Sequence, residues 1–168
     1  MSKLLVAYAS KHGSTAEIAE AIAEELRASG VDADLVEAGD ARGLDAYDGV
    51  VLGSAVYMKR WQRGARRFLH RLEQDLGERS LWIFSSGPVG DAEVDPNWCE
   101  PAKTLQRAQH LNLRGHVIFG GRVPHDPGNF IERAMLKDTP PEVQDRRDFD
   151  EIRAWARQIA ASVTLAAV

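Results

Sequence analysis

Leu4-Leu5-Val6-Ala7-Tyr8-Ala9 runs directly into Ser10-Lys11-His12-Gly13-Ser14-Thr15, and Ile18, Ile22 and Leu26 follow at helical spacing. The first six residues form a nearly continuous apolar run, as expected of a strand buried on both faces of a parallel sheet. The last three, with the alanines between them, mark one buried stripe of a helix. The polar residues in between bridge strand and helix with a single glycine. This strand–loop–helix unit is the opening of a doubly wound α/β domain.

The rest of the chain repeats the pattern. Further apolar runs fall at Ala33–Glu37, Gly49–Gly53, Ser80–Ser85 and His116–Gly120. Between them, Ala65, Phe68, Leu69, Leu72 and Leu76 keep helical spacing, as do Ile152, Trp155, Ala156, Ile159 and Val163. Gly30 and Gly77 stand where helices should stop. Asp40–Asp45 has room for one turn of helix, and Pro101–Leu113 reads as a further helix. Pro124–Arg147 holds four of the seven prolines and is the least regular stretch, with a short helix expected around Phe130–Leu136. Strands alternating with helices over short connections predict a parallel sheet covered on both sides.

Composition bounds the answer. The chain has 168 residues, 44% apolar and 27% charged, which fits a single domain over residues 1–168. Its net charge of −4 argues against a general nucleic-acid binder. One cysteine, Cys99, excludes an internal disulfide and any CxxC site, and it reads as packing. No apolar run approaches the ~18 residues of a membrane span, and the N-terminal run is too short for a signal-peptide core. A soluble cytoplasmic protein is expected, with no metal site.

In such a sheet, ligands bind beyond the carboxyl ends of the strands. Three loops should meet there. The first offers the hydroxyls of Ser10, Ser14 and Thr15, a tight turn at Gly13, and the unpaired N–H groups of a helix N-terminus. That is a phosphate cradle, although the same residues would serve as simple helix caps. It is not a Walker loop, because Lys11 precedes the glycine, and it lacks the three glycines of a dinucleotide fingerprint. The second loop is Gly53-Ser54-Ala55-Val56-Tyr57-Met58-Lys59-Arg60-Trp61. Tyr57 or Trp61 could stack on a ligand ring there and Met58 could pack at its edge, or all three could be core or rim packing. The third is Ser86-Gly87-Pro88-Val89-Gly90-Asp91, whose glycines allow close backbone approach. Gly120-Gly121-Arg122 could come near the same mouth. His125, beyond it, reads as a surface residue. A phosphoacceptor receiver domain is excluded, since no acidic cluster follows the first strand and Ser54 follows the third.

Ser10-x-His12-Gly13-x-Thr15 after an N-terminal strand resembles the flavodoxin phosphate loop, with His12 in place of the usual middle threonine. The resemblance implies a flavodoxin-like, five-stranded parallel sheet of order 2-1-3-4-5. It also implies FMN as cofactor, with Ser10, His12, Gly13, Ser14 and Thr15 at the phosphate. Ser54, Ala55, Val56, Tyr57 and Met58 would hold the flavin ring with Ser86, Gly87, Pro88, Val89 and Gly90. No residue stands out as a catalytic acid or base.

Two features bear on carrier against enzyme. Lys59, Arg60, Arg63, Arg66, Arg67 and Arg71, with His70, fall within thirteen residues, and no acid lies between Val56 and Leu72. Such a run either attracts an anionic partner or is a solvated helix face. In one-electron flavodoxins a peptide of the ring loop flips towards the flavin, and glycine eases that flip. Here Gly53 is the only glycine from 53 to 61, which favours two-electron chemistry. In both features, and in Asp148-Phe149-Asp150 leading into Ile152, Trp155, Ala156 and Ile159, the chain is similar to the menaquinone-dependent protoporphyrinogen dehydrogenases. That resemblance implies electron or hydride transfer from a tetrapyrrole to a quinone, with contact to an anionic membrane through the basic stretch. The alternatives are a flavodoxin-type electron carrier and a binding module that has lost its flavin.

Overall fold

The computed structural model describes residues 1–87 and 101–166. Its strands are β1 (Lys3–Ala9), β2 (Asp32–Glu37), β3 (Gly49–Tyr57), β4 (Arg60–Trp61), β5 (Ser80–Ser86) and β6 (Leu113–Phe119). Its helices are α1 (Ser14–Ala28), α2 (Arg63–Asp75), α3 (Ala102–Ala108), α4 (Phe130–Asp138) and α5 (Phe149–Ala166). Five strands pair in parallel in the order β2-β1-β3-β5-β6, and β4 pairs antiparallel with β3. The expected order is present, with β4 as a hairpin addition.

Period-two alternation sorts the strand residues into two cores. Leu4, Val6, Val51, Trp82 and Phe84 face α1 and α5, where Ile18, Ile22, Leu26, Ile152 and Ile159 meet them. Leu5, Ala7, Val50, Leu52, Leu81 and Ile83 face the other side, under Phe68, Leu69 and Leu72 of α2 and Ala108 of α3. Strands covered on both faces have no polar side to alternate with, which explains the continuous apolar runs. Phe84, Phe119 and Trp155 form an aromatic triangle with centroids 5.7–6.2 Å apart. Gly53 makes room for it: a Cβ there would lie 1.9 Å from the Phe84 ring.

The chain leaves β1 for β2 and returns to β3 on the other side of β1. The order therefore reverses between β1 and β3, and the loops that follow these strands flank the switch point. α1 stops at Gly30, which sits at φ +85° as a left-handed terminator. α3 is shorter than the helix expected over 101–113, because the chain turns after Ala108 and enters β6 at Leu113. No helix among the described residues is long and apolar enough to cross a membrane.

The segment after Gly53 departs from the expected open loop. β3 continues to Tyr57, and Val56 pairs with Trp61 and Tyr57 with Arg60. Met58 (φ +48°) and Lys59 (φ +61°) make the two-residue turn in left-handed conformations. Hairpin turns need φ > 0 at these positions and usually take Asn-Gly or Gly. Met58-Lys59 carries no such signal, so the hairpin was not legible. Strain of roughly 1 kcal/mol per residue is offset by the pairing and by burial of Trp61.

Candidate functional site: a phosphate cradle and an apolar slot

Gly13, at φ +84°, turns the chain from β1 into α1. Its N–H donates to Ser10 Oγ at 3.0 Å, which fixes the loop. The first helical bond runs from Glu17 N to Gly13 O, so the N–H groups of Ser14, Thr15 and Ala16 precede it. No side chain caps the helix. Ser14 Oγ is buried without a hydrogen-bond partner among the described residues, and Thr15 is 1% exposed. A buried hydroxyl without a partner is costly, and such groups are rare. Helix capping therefore does not account for Ser14. A buried hydroxyl with no partner, beside the first N–H groups at the positive end of a helix, fits a phosphate.

The cradle opens into a cavity of ≈ 390 Å³. Ser10, His12, Ser14, Thr15, Ala55, Val56, Tyr57, Met58, Ser86 and Gly87 all line it, so the three loops do meet. Ser54 does not: it is fully buried, and its hydroxyl accepts from Gln62 N and donates to Ala55 O, which braces the hairpin. Trp61 is no stacking residue either. It is 2% exposed, and its Nε1 donates to Ser85 Oγ at 2.9 Å beneath the hairpin. Pro88, Val89 and Gly90 lie outside the described residues. Gly121 and Arg122 reach the cavity, whereas His125 is exposed and stands apart from it.

The far wall comes from the irregular stretch. Ile131 and Met135 of α4, one turn apart, line the cavity together with Val56 and Met58 and make this part of it an apolar slot. Asn129 starts α4 by accepting from Glu132 N. Glu132 itself is fully buried. Its Oε1 accepts from Lys11 Nζ at 2.5 Å, His12 Nε2 at 3.0 Å and the Tyr57 hydroxyl at 2.9 Å, and its Oε2 accepts from Gly128 N at 2.7 Å. One carboxylate thus ties the phosphate loop, the ring loop and α4 together. Lys11 first, then His12, the Gly128 N–H and Tyr57, hold its carboxyl far below the usual range against the effect of burial. Burial and then the Glu132 carboxylate push the Tyr57 phenol up to about 12. Asn129-x-x-Glu132 is a capping pattern that marks the start of α4. Nothing local in the sequence points from it to Lys11.

A second clasp holds the same wall. Arg147 bonds Glu17 and pairs with Asp145 at 2.7 Å, and Arg122 reaches Glu17 at 3.2 Å. The 121–147 stretch is thereby fastened to the first turn of α1.

A parallel sheet whose switch point carries a loop fit for a phosphate, beside an apolar slot, has the build of a mononucleotide-binding doubly wound protein. The chain belongs to the flavodoxin family: the flavodoxin-domain model matches residues 5–148. It superposes on a flavodoxin from the domain Archaea with a TM-score of 0.65 at 16% identity, covering 96% of this chain and 99% of that one. For Flavodoxin 2 from Bacillus cereus the TM-score is 0.63 at 25% identity, with 97% and 99% covered. A flavodoxin, WrbA-like protein from Agrobacterium tumefaciens gives 0.61 at 16%, with 98% and 99% covered. No curated protein sequence matches significantly. Flavodoxin homologues bind FMN, and the family places this chain among flavin-binding electron-transfer proteins. The match identifies the family and not a branch within it.

Ser14→Ala separates fold from ligand. In the flavin-free protein it removes a buried, unpartnered hydroxyl, so stability should hold or rise slightly. FMN should bind about tenfold more weakly, the loss of one hydrogen bond to a charged group, ~1.5 kcal/mol. Thermal denaturation and flavin titration check the two signs, and unchanged FMN affinity would remove Ser14 from the cradle.

Proposed function

We propose that the chain is an FMN-dependent oxidoreductase that moves two electrons from a reduced, carboxylate-bearing organic substrate of the protoporphyrinogen type to a quinone. The observation that carries this reading is the β3–β4 hairpin. The ring loop has no glycine from Ser54 to Trp61, and ladder pairs at Val56–Trp61 and Tyr57–Arg60 hold it. The Trp61–Ser85 and Gln62–Ser54 bonds brace it from below. A peptide flip that would favour one-electron transfer has to break that pairing or, at the turn itself, carry Met58 and Lys59 through backbone conformations that glycine adopts far more easily.

Charge supports the partner class. A second cavity of ≈ 580 Å³ shares Met58 and Lys59 with the first and is lined by Arg60, Arg66 and Lys103 as well. Carboxylates of a substrate seated over the slot would meet these cations. Arg63, Arg66 and Arg67 lie exposed on α2, as a face towards anionic lipid requires. Arg71 is not part of that face. Its guanidinium donates to the carbonyls of Ala38 and Ala41 and stacks on Phe68, so it braces the turn after β2.

FMN, when bound, supplies the electron or hydride transfer. Ser14 and Thr15 would hold its phosphate, and Val56, Met58, Ile131 and Met135 would pack along the ring and shield it from water. A second reading, a flavodoxin-type carrier, is favoured by the 25% identity to Flavodoxin 2 from Bacillus cereus. Anaerobic reductive titration of the FMN-loaded protein separates the two. The oxidised spectrum should convert to the fully reduced one with little half-reduced flavin at the midpoint. A half-reduced form that dominates at the midpoint would make the protein a carrier.

A further inference from the structure

The phosphate cradle carries a titratable side chain that the flavodoxin pattern does not call for. His12 lies between the cradle and the buried Glu132, with Nε2 3.0 Å from Oε1. An ionised carboxylate can only accept, so Nε2 carries a hydrogen and Nδ1 is the nitrogen at which the ring can gain or lose a proton. That one carboxylate oxygen is already shared with the ammonium of Lys11 and the hydroxyl of Tyr57. Among the described residues, the remaining charged groups around the cavity are Lys59, from the hairpin tip, and Arg122, which is paired with Glu17. A phosphate dianion entering beside Ser14 and Thr15 sets a second anion close to an imidazole that already touches one.

We propose that this chain binds FMN together with a proton, which passes from solvent to His12 Nδ1 as the phosphate dianion seats. His12 and Glu132 are then specificity residues of the cradle. Glu132 fixes the tautomer and orientation of His12, and the imidazolium answers the second charge of a phosphate monoester. Riboflavin, with no phosphate, draws no proton. FAD, whose pyrophosphate carries one charge per phosphorus, draws less than FMN. Histidine suits the role because its proton exchanges near neutral pH. The inference rests on FMN being the ligand, and its test separates the two claims.

The test is calorimetric titration of the flavin-free protein with FMN at about pH 7.5 in two buffers of different ionisation enthalpy. Near that pH free FMN is almost fully dianionic, since the second ionisation of a phosphate monoester lies near ~6. The expected result is net proton uptake per FMN bound, near zero uptake with riboflavin, and loss of the uptake in His12→Asn. Wild-type affinity should also fall as pH rises from about 6.5 to 8.5, more steeply than in His12→Asn. Tight FMN binding with no proton uptake would overturn the proposal and leave the cofactor in place. No binding of FMN would overturn both. His12 is part exposed and its replacement leaves the Glu132–Lys11 pair intact, so the variant should fold.

Discussion

Gly53→Ala is expected to cost the fold roughly 3 kcal/mol, at the upper end for an overpacked core. Gly53 sits mid-strand in β3, opposite Phe84 of β5 in the ladder. The new Cβ would lie 1.9 Å from the Phe84 ring, well inside contact distance. The ring cannot retreat, because Phe119 and Trp155 pack on it at 5.9 and 6.2 Å. For a chain of this size such a loss lowers the melting temperature by roughly 10 °C. Gly39→Ala is the control: it has open space around it and should change little. Thermal denaturation of both variants decides the matter, and a melting temperature for Gly53→Ala equal to wild type would mean that the aromatic triangle yields easily.

The second large effect is expected at Glu132. Glu132→Gln keeps the shape but trades an acceptor for a donor. Lys11, His12, Tyr57 and Gly128 all donate to this carboxylate. An amide has one oxygen, so its NH₂ must oppose at least one of them. Removing one partner of a buried ionic network usually costs ~3–5 kcal/mol. Lys11 is part exposed and can turn to water, so about 2 kcal/mol is expected at neutral pH. The sign with pH follows from the depressed folded value. Glu132 contributes stability above its unfolded value near ~4.3, and this is lost as pH falls towards the lower folded value. The gap between wild type and Glu132→Gln should therefore be full at neutral pH and close below about pH 4. Glu17, Asp34 and Asp145, also held low by cationic partners, titrate in both proteins and cancel in the difference. A gap that does not change with pH would show that Glu132 acts through shape alone.

The parts of the fold that rest on local periodicity were legible in the sequence. Val50-Val51-Leu52 and Leu4–Ala9 announce two-sided burial, and Phe68, Leu69 and Leu72 announce the stripe of α2. The cradle was legible as a position, since Gly13 between a strand and a helix has few other uses. Whether Ser14 caps the helix or waits for a ligand was not legible, because both roles need the same hydroxyl at the same residue. Burial of Ser14 Oγ without a partner speaks against the cap. The hairpin escaped because Met58 and Lys59 adopt left-handed turns without glycine, and Trp61, which could have stacked on a ligand or packed in the core, packs beneath it against Ser85. Glu132 escaped for a different reason. Its partners Lys11 and His12 are 121 and 120 residues away, and only the folded sheet brings α4 back over the first loop.

The central claim is that the loop after β1 holds the phosphate of FMN. The most direct measurement is titration of the purified flavin-free protein with FMN, FAD and riboflavin, followed by flavin fluorescence and the visible spectrum. Tight binding of FMN, with riboflavin weaker by the loss of every phosphate contact and FAD weaker than FMN, is the predicted result. Absence of binding, or equal affinity for riboflavin and FMN, would contradict it.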